Sequence, residues 1–204
     1  MIPERVREMK KQSRKGFTLI ELIVVIAVVG ILIALLVPTM LGYVRRAKVK
    51  NDVSTANNIG KAVVAVMADN DAAQDSFYKH NTTNFNGVTV ERSGNPETYD
   101  ITMVCKIDAS ASAGNNMSAW YGEDSEAESF VDSLNNSKLI GQQSEVMCPI
   151  KYSAKKNGLS ADSWVIAYRD DDESVVEVWA ASSQGSSGCQ PLFRVWPDPD
   201  DEYV

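Results

Sequence analysis

The sequence predicts an α+β fold in which one long N-terminal α-helix packs on an antiparallel β-sheet. Three features predict it. Residues 17–37 form an unbroken apolar run with a single charge, Glu21. Between Val49 and Met67 apolar residues recur at steps of three and four, which is one seam of a helix. Beyond Gly87, short β-branched and aromatic segments alternate with turn residues, the pattern of strands and hairpins.

The apolar run comes first because everything else depends on it. At 1.5 Å per residue it makes a helix about 30 Å long, the thickness of a bilayer's hydrocarbon core. Six basic residues precede it: Arg5, Arg7, Lys10, Lys11, Arg14 and Lys15. A carboxylate inside such a helix is costly and persists where it finds a partner. No Lys or Arg stands between Thr18 and Val37 to serve. A cut between Gly16 and Phe17 would create a cationic α-amine four residues before Glu21, one turn away on the same helix face. The same amine on a neighbouring subunit would serve equally well. The plain alternative is that Glu21 sits near the membrane surface and snorkels.

A basic leader, then Gly16, Phe17, Thr18, Leu19, Ile20 and Glu21, then an apolar helix, resembles the type IV prepilin signature shared by pilins and type II secretion pseudopilins. Pro38 falls where many of these proteins carry a helix-kinking proline. The resemblance covers residues 15–50, about a quarter of the chain, and is specific there. It implies a pilin-like fold whose helix is transmembrane in its first half. It also implies that a prepilin peptidase cuts between Gly16 and Phe17 and N-methylates Phe17, and that Glu21 guides docking into a helical filament.

Four parts follow: a cleaved basic leader (1–16), a transmembrane and assembly helix (17–37), its amphipathic continuation (38–70), and a β-rich extracellular domain (71–204). The leader holds six Lys/Arg against two Asp/Glu, so removing it moves the net charge from −7 to −11. So acidic a chain is a poor generic binder of phosphate backbones, and no direct nucleic-acid partner is expected. No second long apolar run occurs, which predicts a single pass. The basic leader places the N-terminus in the cytoplasm and the C-terminal domain outside. An ordinary secretory signal would be cut after its apolar core. Here the cut precedes the run, so the run is retained.

Along the chain, Pro38 removes a backbone donor and is expected to kink or locally melt the helix, with Gly42 loosening it further. Arg45, Arg46, Lys48 and Lys50 form a basic cluster where the helix leaves the bilayer, suited to anionic lipid or to acidic neighbours in a filament. The seam of Val49, Val53, Ala56, Gly60, Val63 and Met67 faces a sheet, while Asp52, Asn57, Asn58 and Lys61 face away. Strands are expected at 87–92 and 99–107, hinged at Ser93-Gly94-Asn95-Pro96, and at 145–152, 163–169 and 174–181. Ser125 to Glu128 reads as a capping box opening a short helix through Leu134. Residues 192–196 read as an edge strand stopped by Pro197. The acidic tail, residues 198–202, is expected to be exposed.

Three cysteines are an odd number, so at most one intramolecular disulfide forms. Cys148–Cys189 is the candidate, because it ties the Gly/Ser-rich loop at 184–188 back to the domain. Closing about forty residues would contribute about 3–4 kcal/mol in the chain-entropy model. A zinc site from the three thiols and His80 lacks any Cys-x-x-Cys pair. Asp170, Asp171, Asp172 and Glu173 lack the spacing of a calcium loop and read as a solvated turn. No metal or other cofactor is implied. The sequence has no nucleophile elbow, zincin, P-loop or dinucleotide motif. The reading is a peptidase substrate and not an enzyme.

The function expected is that of a structural subunit of an extracellular type IV pilus. It would polymerise as a homo-oligomer through its apolar helix after residing in the cytoplasmic membrane. An assembly platform and an ATPase would drive it, with motility or adhesion as outputs of the whole filament. One alternative is a secretion-type pseudopilin. Another is a tip adhesin in which Trp120 and Tyr121 stack on sugar rings.

Overall fold

A computed structural model describes residues 16–79, 83–108, 117–119, 125–137, 148–184 and 189–204. It has an α+β, pilin-like arrangement and divides into two units, Met1–Tyr43 and Val44–Val204. The N-terminal helix α1 is Leu19–Asp69, within a residue or two of the range that periodicity predicts. It is followed by α2 (Asp71–Lys79), β1 (Thr83–Arg92), β2 (Asn95–Asp108), β3 (Met117–Ala119) and α3 (Ser125–Ser137). The chain then forms β4 (Lys155–Lys156), β5 (Leu159–Ser160), β6 (Ser163–Arg169), β7 (Val176–Ser182), β8 (Gln190–Trp196) and a 3-10 turn, Asp201–Tyr203.

The main sheet is antiparallel in the order β1-β2-β6-β7-β8, with β3 on the same side of β2 as β1. Its first hairpin turns at Ser93 and Gly94, both in the left-handed region (φ 49° and 77°), the conformation that suits the twist of a tight hairpin. The small β4–β5 hairpin turns the same way at Asn157-Gly158 (φ 53° and 82°). That Asn-Gly pair was a readable signal that the sequence reading passed over.

Alternation along the strands divides the core into two clusters on opposite faces of the sheet. Trp164, Ile166, Val178, Ala180 and Leu192 face the helices, where they meet Ala56, Ile59, Val63 and Met67 of α1 and Phe77 and Phe130 of α2 and α3. Ile101, Met103, Val165, Ala167, Trp179 and Ala181 face the other way. The seam of α1 is close to the expected one, with one correction. Asp52, placed on the polar side by its chemistry, is fully buried. Gly60 is a packing glycine: a Cβ there would lie 2.5 Å from two ring carbons of Trp196.

On the second face a charged group is buried in the sheet. The Glu177 carboxylate is wholly inaccessible and accepts from Arg194 Nη1 (2.9 Å), Arg169 Nε (3.0 Å), Trp179 Nε1 (2.9 Å) and the Tyr99 hydroxyl (3.0 and 3.2 Å). Two guanidiniums and two neutral donors replace the water that an ionised carboxylate loses on burial. The sheet curls so that its outer strands approach. Lys156 Nζ donates to Thr89 O of β1 (2.9 Å) and to Leu192 O of β8 (3.1 Å), bridging the two edges.

Two further expectations need correction. The described part of the third strand candidate, residues 148–152, is irregular; Pro149 has no amide to give a ladder. The acidic tail is not a free tail. Asp200 is 1% exposed and accepts from the Glu91 amide (2.9 Å), and Asp201 accepts from the amides of Ser93 (2.9 Å) and Gly94 (3.4 Å). Tyr203 is buried among Tyr152 and Phe193. The acids are used up satisfying the backbone of the first hairpin, a role that composition does not reveal.

Two substitutions test this packing in detergent-solubilised protein followed by thermal denaturation. Gly60→Ala forces the helix and Trp196 apart and lowers stability by about 1–3 kcal/mol, the usual range for overpacking. Glu177→Ala leaves the buried Arg194 guanidinium without a carboxylate and Arg169 with only Glu97 (3.8 Å), and costs about 3–5 kcal/mol, as for other broken buried pairs. An unchanged melting temperature for either variant would contradict the packing described.

Candidate functional site

The first described residues, Gly16, Phe17 and Thr18, are non-helical, and the helix opens at Leu19. Thr18 and Glu21 form a reciprocal capping box. Glu21 Oε2 accepts from the Thr18 amide (2.8 Å) and from its hydroxyl (2.8 Å), while Thr18 Oγ1 accepts from the Glu21 amide (3.4 Å). The Gly16–Phe17 bond therefore lies in non-helical backbone immediately before a capped helix, with Phe17 86% exposed. From the sequence alone Glu21 has a subunit amine or the membrane surface as its partner, and not the helix cap. The Thr-x-x-Glu spacing was the signal for the cap. One carboxylate both starts the helix and stands one turn from residue 17.

Beyond the cap the helix carries an apolar surface that is exposed among the described residues. Its most apolar stretch is long and apolar enough to cross a membrane, and none of that stretch is buried. Exposed large side chains run from Leu19 through Leu22, Ile26, Leu32 and Leu36 to Val44. The helix is continuous through Pro38, so the local melting expected there is not seen. Proline leaves the Ala34 carbonyl without its usual donor. One turn on, the Thr39 hydroxyl donates to Leu36 O (2.8 Å), bonding back into the ladder.

The second unit fixes its own stretch of α1 with polar contacts. Asp52 accepts from the amides of Lys151 (2.8 Å) and Tyr152 (2.7 Å), gripping the irregular segment after Cys148. Burial pushes the Asp52 carboxyl above its ordinary value, against the opposing pull of those two amides and of Lys151 and Lys48. Arg45 pairs with Glu202 (3.0 Å) and lies over the Tyr152 ring (5.1 Å), and the Tyr152 hydroxyl donates to the same Glu202. Sequence reading grouped Arg45 with its basic neighbours; the structure separates it from them.

All three cysteines are free and buried. Cys148 lies in the cluster on the helix face of the sheet and Cys189 in the cluster on the other face, so the expected Cys148–Cys189 bridge is not formed. Burial pushes the Cys148 thiol up to about 11 and Cys189 up to about 12, and raises Cys105 likewise. Such thiols are protonated and unreactive at neutral pH. Among the described residues, no group of three His, Cys, Asp or Glu side chains is arranged to hold a metal ion. His80, Trp120 and Tyr121 lie outside the described residues, as do residues 1–15 of the leader.

A capped apolar helix left exposed among the described residues, in a chain with a helix-packed antiparallel domain, defines a subunit built to associate through that helix. Comparison with known proteins agrees. A family model described as a prokaryotic N-terminal methylation motif matches residues 11–37. The chain is 30% identical over 122 residues to the type IV major fimbrial protein FimA of Dichelobacter nodosus, covering 57% of this chain and 76% of that one. It is 29% identical over 138 residues to a fimbrial protein of the same organism, covering 65% and 82%. Fimbrial protein EcpC of Eikenella corrodens is 43% identical over 61 residues, covering 30% and 40%. No solved structure matches significantly. The chain belongs to the type IV pilin family, and it is a structural pilus subunit.

The buried Asp52 gives a pH test of the domain. Because its pKa is raised in the folded state, its contribution to stability is fully present below the ordinary carboxylate value of 3.8 and is lost as pH rises through the raised value. Melting curves of wild type and Asp52→Asn across that range should show the wild type losing ground to the variant as pH rises. Asp52→Ala takes the acceptor from two half-buried amide hydrogen bonds, a loss of about 1–3 kcal/mol at every pH. A wild-type-to-Asn difference that is flat with pH would contradict the assignment.

Proposed function

We propose that residues 17–37 are the membrane-spanning and assembly segment of this pilin, released for polymerisation by cleavage between Gly16 and Phe17. The observation that carries the proposal is the exposed apolar helix whose one carboxylate stands a turn from that bond. Cleavage turns the Phe17 amide into an amine, which is cationic at neutral pH. In a lipid or protein interior that cation and Glu21 neutralise one another's burial cost. Paired within one chain, they would add nothing to assembly. Paired between subunits, they set the register at which one helix docks on the next. Thr18 serves this by holding the carboxylate at the helix start until the amine competes for it.

In this reading residues 1–16 are the leader that a prepilin peptidase removes, and Phe17 is then N-methylated. Residues 38–70 carry the helix out of the lipid, with Pro38 as the point where it bends. Residues 71–204 complete the outer domain. The subunit waits in the cytoplasmic membrane with its C-terminus outside, and a platform and an ATPase drive it into surface filaments. Motility or adhesion belongs to the filament as a whole. The chain itself is not an enzyme, since its candidate site offers one carboxylate and no nucleophile.

Glu21→Ala and Glu21→Gln test the pairing. Both keep the helix apolar enough to insert, so processed subunit accumulates in the membrane. Sheared-filament yield falls by about tenfold or more, a loss of about 1.4 kcal/mol or more per docking step. Wild-type filament yield from Glu21→Ala cells would contradict the role given to the carboxylate.

A further inference from the structure

The part of α1 inside the second unit has an unusual charge balance. Residues 44–68 contain five cations, Arg45, Arg46, Lys48, Lys50 and Lys61, and one acid, Asp52. That acid is buried and held by two amides, and Arg45 is taken by Glu202. Arg46, Lys50 and Lys61 are exposed and make no ion pair among the described residues. Residues 69–204 are the opposite, with 23 acidic residues against 9 basic, net −14. Many of those acids are already used: Asp200, Asp201 and Glu202 by the tail's own contacts, and Glu177 by its two arginines.

The densest acidic group left is the turn between β6 and β7. Residues 170–173 are four consecutive acids, all exposed. Asp170 accepts from the Thr102 hydroxyl (2.5 Å) and Asp172 caps Ser174 (2.5 Å), which fixes the turn's shape. Asp171 and Glu173 make no ion pair among the described residues. The turn lies beside α2, where Tyr78 feels the charge of Asp172 and Glu173. It is thus at the end of the unit where α1 has finished. Lys50 is nineteen residues before Asp69, about 29 Å back along the helix axis. The acidic turn of one chain is therefore out of reach of most of its own cationic stripe.

We propose that the cationic stripe of α1, Arg46, Lys50 and Lys61, is an interface for the acidic β6–β7 turn of a second copy of this chain. The inference rests on the filament reading above and names the surfaces that meet. Unlike surfaces at different heights on one subunit give a heterologous contact, the kind that propagates instead of closing. An anionic membrane is the competing occupant, and it suits Arg46 and Lys50 but not Lys61. Lys61 is seventeen residues beyond Val44, about 25 Å along the helix, whereas surface charge is screened within about 8 Å at physiological salt. Each such ion pair is weak in water. Repetition at every subunit gives the set its effect, with salt as its antagonist.

The test is a charge swap in cells, reading sheared-filament yield per processed subunit. Lys50→Glu with Lys61→Glu, and separately Asp171→Lys with Glu173→Lys, should each lower the yield about tenfold or more, because like charges then face one another at every repeat. The four changes combined should restore it to within about threefold of wild type, a non-additivity that only contacting groups show. Raising the salt concentration should also speed subunit loss from wild-type filaments by a larger factor than from those of a Lys50→Gln, Lys61→Gln variant. Failure of the combined variant to recover would overturn the proposal. So would full yield from either reversal, or loss of the lysine variant from the membrane fraction in proportion to its filaments, which would assign the cations to lipid. Absence of filaments from wild-type cells would overturn the pilus reading itself.

Discussion

A helix with large apolar side chains exposed all the way from Leu19 to Val44 cannot stand in water, and none of the described residues buries it. That constraint governs the rest of the molecule. Burying such a surface is worth on the order of 25 cal/mol per Å². Lipid gives that burial before assembly and other copies of the helix give it afterwards. Exchange between the two is then close to neutral in hydrophobic terms, so the choice falls to smaller, directional terms. In the proposed assembly Glu21 is the directional term in the apolar segment, and the cationic stripe and acidic turn play the same part outside it.

The second unit solves a different problem, which is to hold a helix that is anchored elsewhere. A purely apolar seam tolerates sliding, because one ridge fits the next groove nearly as well. Asp52 does not tolerate it, since its two oxygens must meet the amides of Lys151 and Tyr152. Gly60 adds a steric lock by admitting the Trp196 ring. Arg45 ties the same helix to the C-terminal turn through Glu202. Polar and steric features of this kind select one register where hydrophobicity alone leaves several.

Much of this was legible in the residues. The apolar run, the helix periodicity and the hairpin at Ser93-Gly94 each follow from local pattern, and the structure has them near the expected boundaries. What local pattern misread were acids whose partners are far away in sequence. Asp52 looks like a solvent residue until residues 151 and 152 fold over it. Asp200 and Asp201 look like a disordered tail until the hairpin at 91–94 presents unpaired amides. Glu177 sits in a strand whose other residues are apolar up to Ser182 at its end, and only the fold reveals that Tyr99, Arg169 and Arg194 converge on it. The cysteine pairing failed for the same reason: sheet alternation, invisible to spacing, separates Cys148 from Cys189. At the N-terminus the missed signal was local, since Thr18 and Glu21 have the spacing of a helix cap.

The most direct measurement is the intact mass and N-terminal sequence of the subunit recovered from filaments sheared off the cell surface. A chain that begins at N-methylated Phe17 would place the cationic amine one turn from Glu21, as the account requires. Filaments built from chains that retain Gly16 and the residues before it would contradict it, because Glu21 would then have only its own cap as a partner.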